Sequence, residues 1–189
     1  MEAAVLEGVA RRAPTGSAIF GGNSMVIRDL DSFFSGGGQA FTLLGNRGAS
    51  GIDGNMSTVL GVAAASPAPV IGLLGDLALY HDMNGLIAAK DLSATLVVFN
   101  NGGGAIFGYL PQSTLPDFER YWLTPSGLDF AQVAKLYGLR HWRVHDGRAF
   151  DTALVESLEG AGVGLIEVVV DREDSVKRHR AYWRRVTES

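Results

Sequence analysis

The chain has 189 residues, of which 47% are hydrophobic, and a net charge of −4 at pH 7. This length fits one domain with a well-filled core, and the acidic balance argues against a nucleic-acid-binding surface. The absence of cysteine excludes a disulfide framework and thiolate chemistry. No apolar run reaches the roughly 20 residues that span a bilayer, and the first residues lack a signal-peptide pattern. We therefore expect a cytoplasmic protein.

Short β-type runs alternate with helix-type runs along the whole chain. The predicted helices are Met1–Arg12, Ser24–Phe34, Gly54–Ala65, Tyr80–Lys90, Asp129–Gly138, Ala149–Leu158 and Asp174–Val186. The predicted strands are Ala18–Gly21, Phe41–Leu44, Pro69–Leu74, Thr95–Asn100, Arg140–Val144 and Gly164–Val170. Several of these strands are almost uniformly apolar, which is typical of parallel strands covered on both faces. The alternation predicts an α/β fold, a three-layer α/β/α domain with a mainly parallel six-stranded sheet.

The remaining segments indicate how the chain is organised. Tyr109–Gly127 holds three prolines and no clear periodicity, so it is predicted to be a long loop, which in a compact domain is often functional. The sequence contains no internal repeat and no domain linker. Residues 1–189 are therefore predicted to form a single domain, in which residues 1–16 are a lead-in helix and a linker.

Two polar residues follow the ends of successive predicted strands. Asp76 ends the apolar run that starts at Val70, and Asn101 ends the next run and precedes Gly102–Gly104. Ligands of parallel sheets bind at the carboxyl ends of the strands. A carboxylate and a side-chain amide beside a glycine-rich turn are suited to a magnesium–diphosphate site.

Two glycine-containing loops add to this pattern. In Gly21–Arg28, Ser24 could cap a helix whose free N–H groups could also hold an anion, and a capped helix alone explains the pattern equally well. In Gly45–Gly54, four glycines in ten residues allow close backbone approach to a ligand, and Arg47 could bind a carboxylate or phosphate. We favour a functional loop there over a plain flexible one.

The spacing of Gly75-Asp76 and Asn100-Asn101, about 25 residues later, resembles the diphosphate-binding motif of thiamine-diphosphate enzymes. The chain is more specifically similar to the MenD family of 2-succinyl-5-enolpyruvyl-6-hydroxy-3-cyclohexene-1-carboxylate synthases, which act in menaquinone biosynthesis. This resemblance covers nearly the whole chain from about Ser17. It is carried by Gly22–Arg28, Asn46–Gly54, Gly75–Gly85, Asp171-Arg172 and His179–Trp183.

The resemblance implies a role for each matching position. Mg²⁺, or Mn²⁺ as a substitute, would be bound by Asp76, Asn101 and the backbone carbonyl of Gly103. The other residues implied to bind thiamine diphosphate are Asn23, Ser24, Ile52, Gly75, Leu77 and Ala78, of which Ile52 would support the bent cofactor. Ala78 departs from the family, whose members often have Ser or Thr there. Substrate would be bound by Arg28, Arg47 and Phe107.

The resemblance also implies a reaction. The family's enzymes decarboxylate 2-oxoglutarate and add the resulting succinyl-semialdehyde carbanion to isochorismate, in a transketolase-like transfer. They have three domains, and this chain matches only the last, so the pyrimidine-binding and central domains are absent. The glutamate that activates the cofactor belongs to the pyrimidine-binding domain of another subunit. We therefore expect no such catalytic residue in this chain, an inactive isolated chain, and a homo-oligomeric full enzyme.

Two alternatives remain open. Another thiamine-diphosphate enzyme, such as an acetolactate synthase or a 2-oxoacid decarboxylase, would share the strand-end motifs but is not expected to share Asn46–Gly54. A non-catalytic assembly module is the second. A nicotinamide-binding domain is not favoured, because Gly21-Gly22-Asn23 does not match the glycine fingerprint expected after the first strand.

The histidines give no metal-binding cluster. His81 lies close to Asp76, and we prefer a capping or packing role to a proton shuttle. His141 and His145 are interpreted as structural residues of a strand. His179 lies in the charged run Arg172–Arg185, which is predicted to be a solvated face or a contact with a missing domain.

Overall fold

The computed structural model describes residues 1–188. Its six strands form one sheet in the order β2-β1-β3-β4-β6-β5, and every neighbouring pair is parallel. The predicted α/β fold with a six-stranded, mainly parallel sheet is confirmed. The strands are β1 (Ala18–Gly21), β2 (Thr42–Leu44), β3 (Val70–Gly75), β4 (Ala94–Asn100), β5 (Arg140–Val144) and β6 (Val163–Val169).

Helices cover both faces of the sheet, which gives the predicted three layers. Within residues 1–188 they are α1 (Glu2–Arg12), α2 (Met25–Phe33), α3 (Asn55–Ala65), α4 (Asp76–Asp82), α5 (Phe130–Leu136), α6 (Gly147–Glu159) and α7 (Arg172–Thr187). None of them is both long and apolar enough to cross a bilayer.

The core lies in two clusters, one on each side of the sheet. On one side α1, α2 and α6 pack on the strands, and Leu6 and Phe150 are fully buried there. On the other side α3, α4 and α5 pack, with Met56 and Phe130 in the contact. Burying a side chain of this size contributes about 1.5–3 kcal/mol. Within the segment 1–16, α1 belongs to the same helix layer as α2 and α6.

The region after β3 differs from its prediction. A helix was predicted over Tyr80–Lys90, but α4 begins at Asp76 itself, and Met83–Asp91 forms 3₁₀ turns. Asn84 and Gly85 have low helix propensity, which explains the end of the α-helix. Asp82 accepts hydrogen bonds from the Ser57 N–H (2.7 Å) and hydroxyl (2.9 Å), so this end is attached to α3.

The predicted long loop Tyr109–Gly127 also has regular turns. It begins with a 3₁₀ turn at Ala105–Tyr109, followed by another at Pro111–Thr114 and a π-helical turn at Glu119–Leu123. Leu123 is buried, and its carbonyl accepts a 2.7 Å hydrogen bond from the Gly104 N–H. The segment is therefore fastened to the turn that follows β4.

The strand order places a crevice between β1 and β3. From β1 the chain passes through α2 to β2 on one side, and it then crosses to β3 on the other side of β1. Such a reversal separates the connections that leave the two strands, and ligands of open α/β sheets bind in the opening between them. The turn after β1 and the start of α4 face this crevice.

Candidate functional site

A cavity of about 270 Å³ lies at the carboxyl ends of β1, β3 and β4. Ten of the twelve residues predicted for the site line it, and they come from four separate segments of the chain. Arg28 and Arg47 are the two that do not line it. The ten are Asn23, Ser24, Ile52, Gly75, Asp76, Leu77, Ala78, Asn101, Gly103 and Phe107.

Asp76 is held in a buried position at the start of α4. One carboxylate oxygen accepts the N–H of Leu77 at 2.7 Å, and the other accepts the N–H of Gly103 at 2.8 Å. Burial raises the pKa of Asp76 to about 6, although the backbone hydrogen bonds from Leu77 and Gly103 oppose this rise. A bound cation would favour the ionised carboxylate and offset its burial.

Asn101 and Gly103 supply further oxygens at the end of β4. The side-chain oxygen of Asn101 is buried and has no hydrogen-bond partner among residues 1–188. Leaving such an atom unpaired costs about 1–3 kcal/mol. The Gly103 carbonyl accepts one hydrogen bond, from the Ala105 N–H at 2.9 Å, which leaves it a second lone pair.

These atoms fit a magnesium ion. A carboxylate, an amide oxygen and a carbonyl are all hard oxygen donors, which Mg²⁺ prefers. In the part of the chain that the structure describes, no three His, Cys, Asp or Glu side chains lie close enough together to hold a metal. A metal beside Asp76 would therefore need additional ligands, and Mg²⁺ commonly takes them from phosphate oxygens and water.

Ser24 adopts an unusual backbone conformation in the turn between β1 and α2. Its φ of 67° and ψ of −129° are rare for a residue other than glycine, and such strain costs about 1–3 kcal/mol. The predicted capping by its side chain was wrong, because an N-cap residue normally has an extended backbone. The Ser24 carbonyl instead accepts a 2.6 Å hydrogen bond from the Arg28 guanidinium.

Asn23 joins this turn to the loop 45–54. Its side-chain N–H₂ group donates to the carbonyls of Gly51 (2.6 Å) and Asn46 (3.3 Å), and its oxygen accepts from the Arg47 guanidinium at 2.6 Å. Both predicted substrate arginines therefore contact the Asn23–Ser24 turn from outside the cavity. Both are also exposed.

Side-chain amides determine the shape of the loop 45–54. Asn46 donates to the Thr58 hydroxyl at 3.0 Å, and Asn55 donates to the carbonyls of Gly51 (3.0 Å) and Asp53 (3.1 Å). Most of the loop is exposed, whereas Ile52 is half-buried and lines the cavity. The loop thus has a defined course although it contains no regular structure.

The structure adds residues to the cavity that were not singled out from the sequence. Glu2, Asp29, Tyr109 and Ser175 line it, and they come from α1, α2, the 3₁₀ turn after β4, and α7. Most of them carry no local signal because they lie far apart in the sequence. Asp29 does carry one, since it follows the buried Val26 by three residues and so puts a carboxylate on the buried face of α2.

The histidines lie in different environments. His81 is exposed and does not line the cavity that contains Asp76. His141 lies 3.2 Å from the buried Glu167 carboxylate, and His145 is exposed. His179 is only 4% exposed, so the interpretation of Arg172–Arg185 as a solvated face was wrong for this residue, because α7 packs one side against α2.

Comparison with known families identifies the domain. The family described as "Thiamine pyrophosphate enzyme, C-terminal TPP binding domain" matches residues 31–168. The chain belongs to this family. The matched range includes β2 to β5, all but the last residue of β6, and both Asp76 and Asn101.

The most informative relatives are synthases of one name. The chain is 45% identical over 176 residues to the 2-succinyl-5-enolpyruvyl-6-hydroxy-3-cyclohexene-1-carboxylate synthase of Geobacillus kaustophilus, which covers 92% of this chain and 30% of the relative. It is 44% identical over 191 residues to the synthase of that name from Oceanobacillus iheyensis. That match covers 100% of this chain and 33% of the relative. The resemblance to the C-terminal domain of the MenD family is confirmed. The chain spans about a third of the length of these relatives.

A solved structure agrees with this assignment at the level of fold. The thiamine-diphosphate-dependent 4-hydroxybenzoylformate decarboxylase of Rhodococcus jostii RHA1 superposes with a TM-score of 0.72 at 25% identity. The match covers 90% of this chain and 32% of the decarboxylase. This sheet and helix arrangement is therefore shared with a thiamine-diphosphate-dependent enzyme at low sequence identity.

Proposed function

We propose that this cavity binds thiamine diphosphate with Mg²⁺, or with Mn²⁺ in its place. The observation that carries the proposal is the unpaired Asn101 side-chain oxygen at the end of β4, in the same cavity as the buried carboxylate of Asp76. The Asn101 oxygen has no partner among residues 1–188, and the Asp76 carboxylate accepts backbone hydrogen bonds but is buried without a cation, so one cation contacting both would satisfy the oxygen and offset the burial of the charge. Membership of a TPP-binding-domain family supports thiamine diphosphate as the source of the additional phosphate ligands.

Each cofactor residue then has a distinct part. Asp76, Asn101 and the Gly103 carbonyl would hold the metal, and Asn23, Ser24 and the first turn of α4 at Leu77–Ala78 would surround the diphosphate. Gly75 would allow the diphosphate to approach the backbone. Ile52, half-buried in the loop 45–54, would support the cofactor from beneath.

The two arginines would act on substrate next to the cofactor. Arg28 and Arg47 are exposed and are held against the Asn23–Ser24 turn by 2.6 Å hydrogen bonds. A planar guanidinium suits a carboxylate, and both proposed substrates, 2-oxoglutarate and isochorismate, are dianions. Phe107 would form an apolar wall of the substrate pocket.

The complete enzyme would be a synthase of the MenD type. It would decarboxylate 2-oxoglutarate, add the four-carbon product to isochorismate, and so act in menaquinone biosynthesis in the cytoplasm. The cofactor, when bound, supplies the nucleophilic carbon and the electron sink. The residues of this chain bind and orient it, and they place cations near the substrate carboxylates.

This chain would be the single diphosphate-binding domain of that enzyme. The relatives are about three times as long, and a pyrimidine-binding domain and a central domain would lie in the part that this chain does not match. The glutamate that activates the cofactor would belong to the pyrimidine-binding domain, supplied by another chain of a homo-oligomer. The isolated chain would therefore bind the cofactor weakly and not turn over.

The alternative with structural support is that the complete enzyme is a different thiamine-diphosphate enzyme, a 2-oxoacid decarboxylase. The decarboxylase of Rhodococcus jostii has a similar fold, but it is 25% identical to this chain, compared with 45% for the Geobacillus kaustophilus synthase. Assays of the chain assembled with a pyrimidine-binding domain separate the two. Turnover of 2-oxoglutarate with isochorismate supports the synthase, and turnover of pyruvate or benzoylformate supports the decarboxylase type.

Calorimetric titration of the chain with thiamine diphosphate and Mg²⁺ tests cofactor binding directly. We expect binding that requires the metal and is lost in Asp76→Ala, because a carboxylate ligand to Mg²⁺ is removed. Asp91→Ala is the matched control, since Asp91 is exposed and lies outside the cavity. Equal binding by both variants would contradict the proposed site and would favour a non-catalytic assembly module.

A further inference from the structure

A buried histidine–carboxylate pair joins α7 to α2. The ring nitrogen Nε2 of His179 lies 2.7 Å from the Asp29 carboxylate, and both side chains are 5% exposed. The other ring nitrogen, Nδ1, lies 2.8 Å from the backbone carbonyl of Ser175. Each ring nitrogen of His179 therefore faces an oxygen.

These contacts determine how many protons the pair must hold. A backbone carbonyl can only accept, so Nδ1 of His179 carries a hydrogen. If Nε2 carried none and Asp29 were ionised, a nitrogen lone pair would face a carboxylate in a buried setting, which is unfavourable. One further proton must lie between them, either on Nε2 or on the carboxyl group. The pair therefore shares one buried proton.

The groups around His179 favour this protonated state. The rings of Phe33, Tyr109 and Trp183 pack around the imidazole in edge or tilted contacts, with centroids 5.5, 5.9 and 5.6 Å away, and keep it from water. A second carboxylate, Glu2 of α1, accepts a hydrogen bond from the Ser175 hydroxyl. One further carboxylate and three aromatic rings thus lie around the pair.

The pKa directions agree with a shared proton. Burial lowers the pKa of His179, but the hydrogen bonds to Asp29 and to the Ser175 carbonyl outweigh it and leave the pKa above its ordinary value. Burial raises the pKa of Asp29, and its hydrogen bond with His179 opposes this only in part. Both directions mean that the pair holds a proton more strongly than separate groups would.

Other titratable groups nearby do not replace this proton. Burial raises the pKa of Tyr109 well above its ordinary range, so its hydroxyl stays neutral. The Met1 amino group lies 3.2 Å from the Glu2 carboxylate and is paired there. Arg180 donates to the Gly108 carbonyl at 3.1 Å and is exposed.

The pair is connected to the cofactor cavity. Asp29 lies on α2, whose first residue follows Ser24 directly and which also carries Arg28. Asp29, Ser175 and Tyr109 line the same cavity as Asp76. A displacement of α2 away from α7 would therefore move the Asn23–Ser24 turn.

We propose that His179 and Asp29 are positioning residues that share one buried proton, and that this proton keeps the Asn23–Ser24 turn in the position that binds the cofactor diphosphate. The inference rests on the proposed cofactor site. The His179 pKa is raised, so the stabilisation is complete at low pH and is lost as pH rises through the folded value. Above it, the ionised Asp29 faces an unprotonated nitrogen, α7 separates from α2, and cofactor affinity falls.

Asp29→Asn is the decisive variant. Its amide N–H can donate to Nε2 of a neutral His179, so the hydrogen bond survives without the shared proton. Asp31→Asn is the matched control, because Asp31 is exposed on the same helix and loses the same charge. His179→Gln is a second variant, in which the amide N–H₂ can donate to the ionised Asp29 and no histidine proton is present at any pH.

Two measurements on the full chain are needed. NMR of ¹⁵N-labelled histidine follows protonation of His179 without cofactor, in wild type and in each variant. Calorimetry follows binding of Mg²⁺–thiamine diphosphate from about pH 6.5 to about pH 9.5, across the range in which a histidine with a raised pKa titrates. Titration of the cofactor itself affects every variant equally and cancels against Asp31→Asn.

We expect wild type and Asp31→Asn to keep His179 protonated above the ordinary histidine range. Their affinity should fall as the pH rises, by about tenfold for each unit by which the His179 pKa is higher with cofactor bound. Asp29→Asn should lower the His179 pKa and change affinity less than about twofold over the same range. His179→Gln should lose the pH dependence of affinity that wild type shows, because no histidine proton remains to be released.

Two results overturn the inference. One is a His179 titration that is the same with and without Asp29, and the other is an equal pH dependence of affinity in Asp29→Asn and Asp31→Asn. Absence of cofactor binding in wild type at every pH would instead contradict the proposed function and, with it, the coupling to the turn. The NMR titration would still decide whether the proton is shared.

Discussion

Two regions meet at the cavity but are stabilised in different ways. One is the strand-end edge, which consists of Gly75–Ala78 and Asn100–Gly104. The other is the loop 45–54. The strand-end edge continues two strands that are buried up to their last residue, and backbone N–H groups hold the carboxylate of Asp76. The loop 45–54 has almost no buried surface, and the amides of Asn23, Asn46 and Asn55 maintain its course.

This difference teaches where binding and folding are coupled. At the strand-end edge, a change of side chain disturbs the backbone of the core, so it should lower stability and cofactor affinity together. In the loop, a lost side-chain bond leaves the sheet intact, so it should lower affinity with a smaller effect on global unfolding. Four substitutions test this contrast, in order of decreasing effect on stability.

Gly103→Ala should be the most damaging. Gly103 has a φ of 130°, which L-residues rarely adopt, and an added Cβ would collide with the Leu123 carbonyl. We expect a loss of about 3 kcal/mol in unfolding free energy and no measurable cofactor binding, by urea denaturation and calorimetry. Gly102→Ala is the control, with a φ of 77° and open space around it, and it should lose about 1 kcal/mol. Equal losses of stability in the two variants would contradict the claim that close packing against the Leu123 carbonyl requires glycine at position 103.

Glu167→Gln should have the next largest effect. The buried Glu167 carboxylate of β6 accepts from the Asn100 side chain at 2.7 Å and from the Arg143 guanidinium at 2.8 Å. Replacing an acceptor-only group with an amide leaves one of these donors unpaired, and we expect a loss of about 1–3 kcal/mol in denaturation. Because Asn100 adjoins Asn101, affinity for Mg²⁺–thiamine diphosphate should also fall.

The control for Glu167→Gln lies on α6. Glu156 is exposed and accepts a single hydrogen bond, from the Trp142 ring N–H at 2.7 Å, which a glutamine oxygen can still accept. Glu156→Gln should therefore change stability by less than about 0.5 kcal/mol. If Glu167→Gln and Glu156→Gln change stability by the same amount, the strand-end edge does not depend on the buried Glu167 carboxylate.

Asn23→Ala should separate the two regions most clearly. It removes both hydrogen bonds from Asn23 to the loop carbonyls and releases Arg47. We expect about a tenfold loss of cofactor affinity and about 1 kcal/mol of stability, because the carbonyls can turn to solvent. Limited proteolysis should cut within residues 45–54 faster than in wild type. Asn84→Ala, outside this loop, serves as the control, and equal cleavage in both would refute the role assigned to Asn23.

Thr58→Val should have the smallest effect. The Thr58 hydroxyl accepts from Asn46 at 3.0 Å and donates to the Gly54 carbonyl at 2.6 Å, while valine keeps the shape of the side chain. We expect a loss of about 0.5–1 kcal/mol and a drop in affinity of only a few-fold. A larger loss than that of Glu167→Gln would reverse the proposed order of the two regions.

Much of the fold could be predicted from the sequence. The strands β3, β4 and β6 are nearly continuous apolar runs, and their boundaries were found within one or two residues. The start of α4 was missed because Asp76 was assigned to the end of the preceding apolar run, whereas in the fold it is the first residue of the helix. The turns between Tyr109 and Leu123 were missed because contacts such as the one between Gly104 and Leu123 join separated segments.

The site also contains residues that could be predicted from the sequence and residues whose contacts could not. Residues that follow strand ends, such as Asp76 and Asn101, were predictable because parallel strands bring their carboxyl ends to one edge. Their roles in metal and cofactor binding stay predictions. The hydrogen bonds of Arg28 and Arg47 to the Asn23–Ser24 turn were not predictable, because the resemblance indicated substrate contacts and gave no backbone geometry.

The sequence by itself determined the layers, the parallel sheet and the edge where a ligand should bind, because these follow from local hydrophobic patterns and from the residues at strand ends. Only the tertiary structure decided the surroundings of that edge. The contact of His179 with Asp29 joins residues 150 positions apart, and the strain at Ser24 depends on the elements packed around it. Such contacts depend on how separate helices pack against each other, and the hydrophobic periodicity of a single segment does not predict that packing.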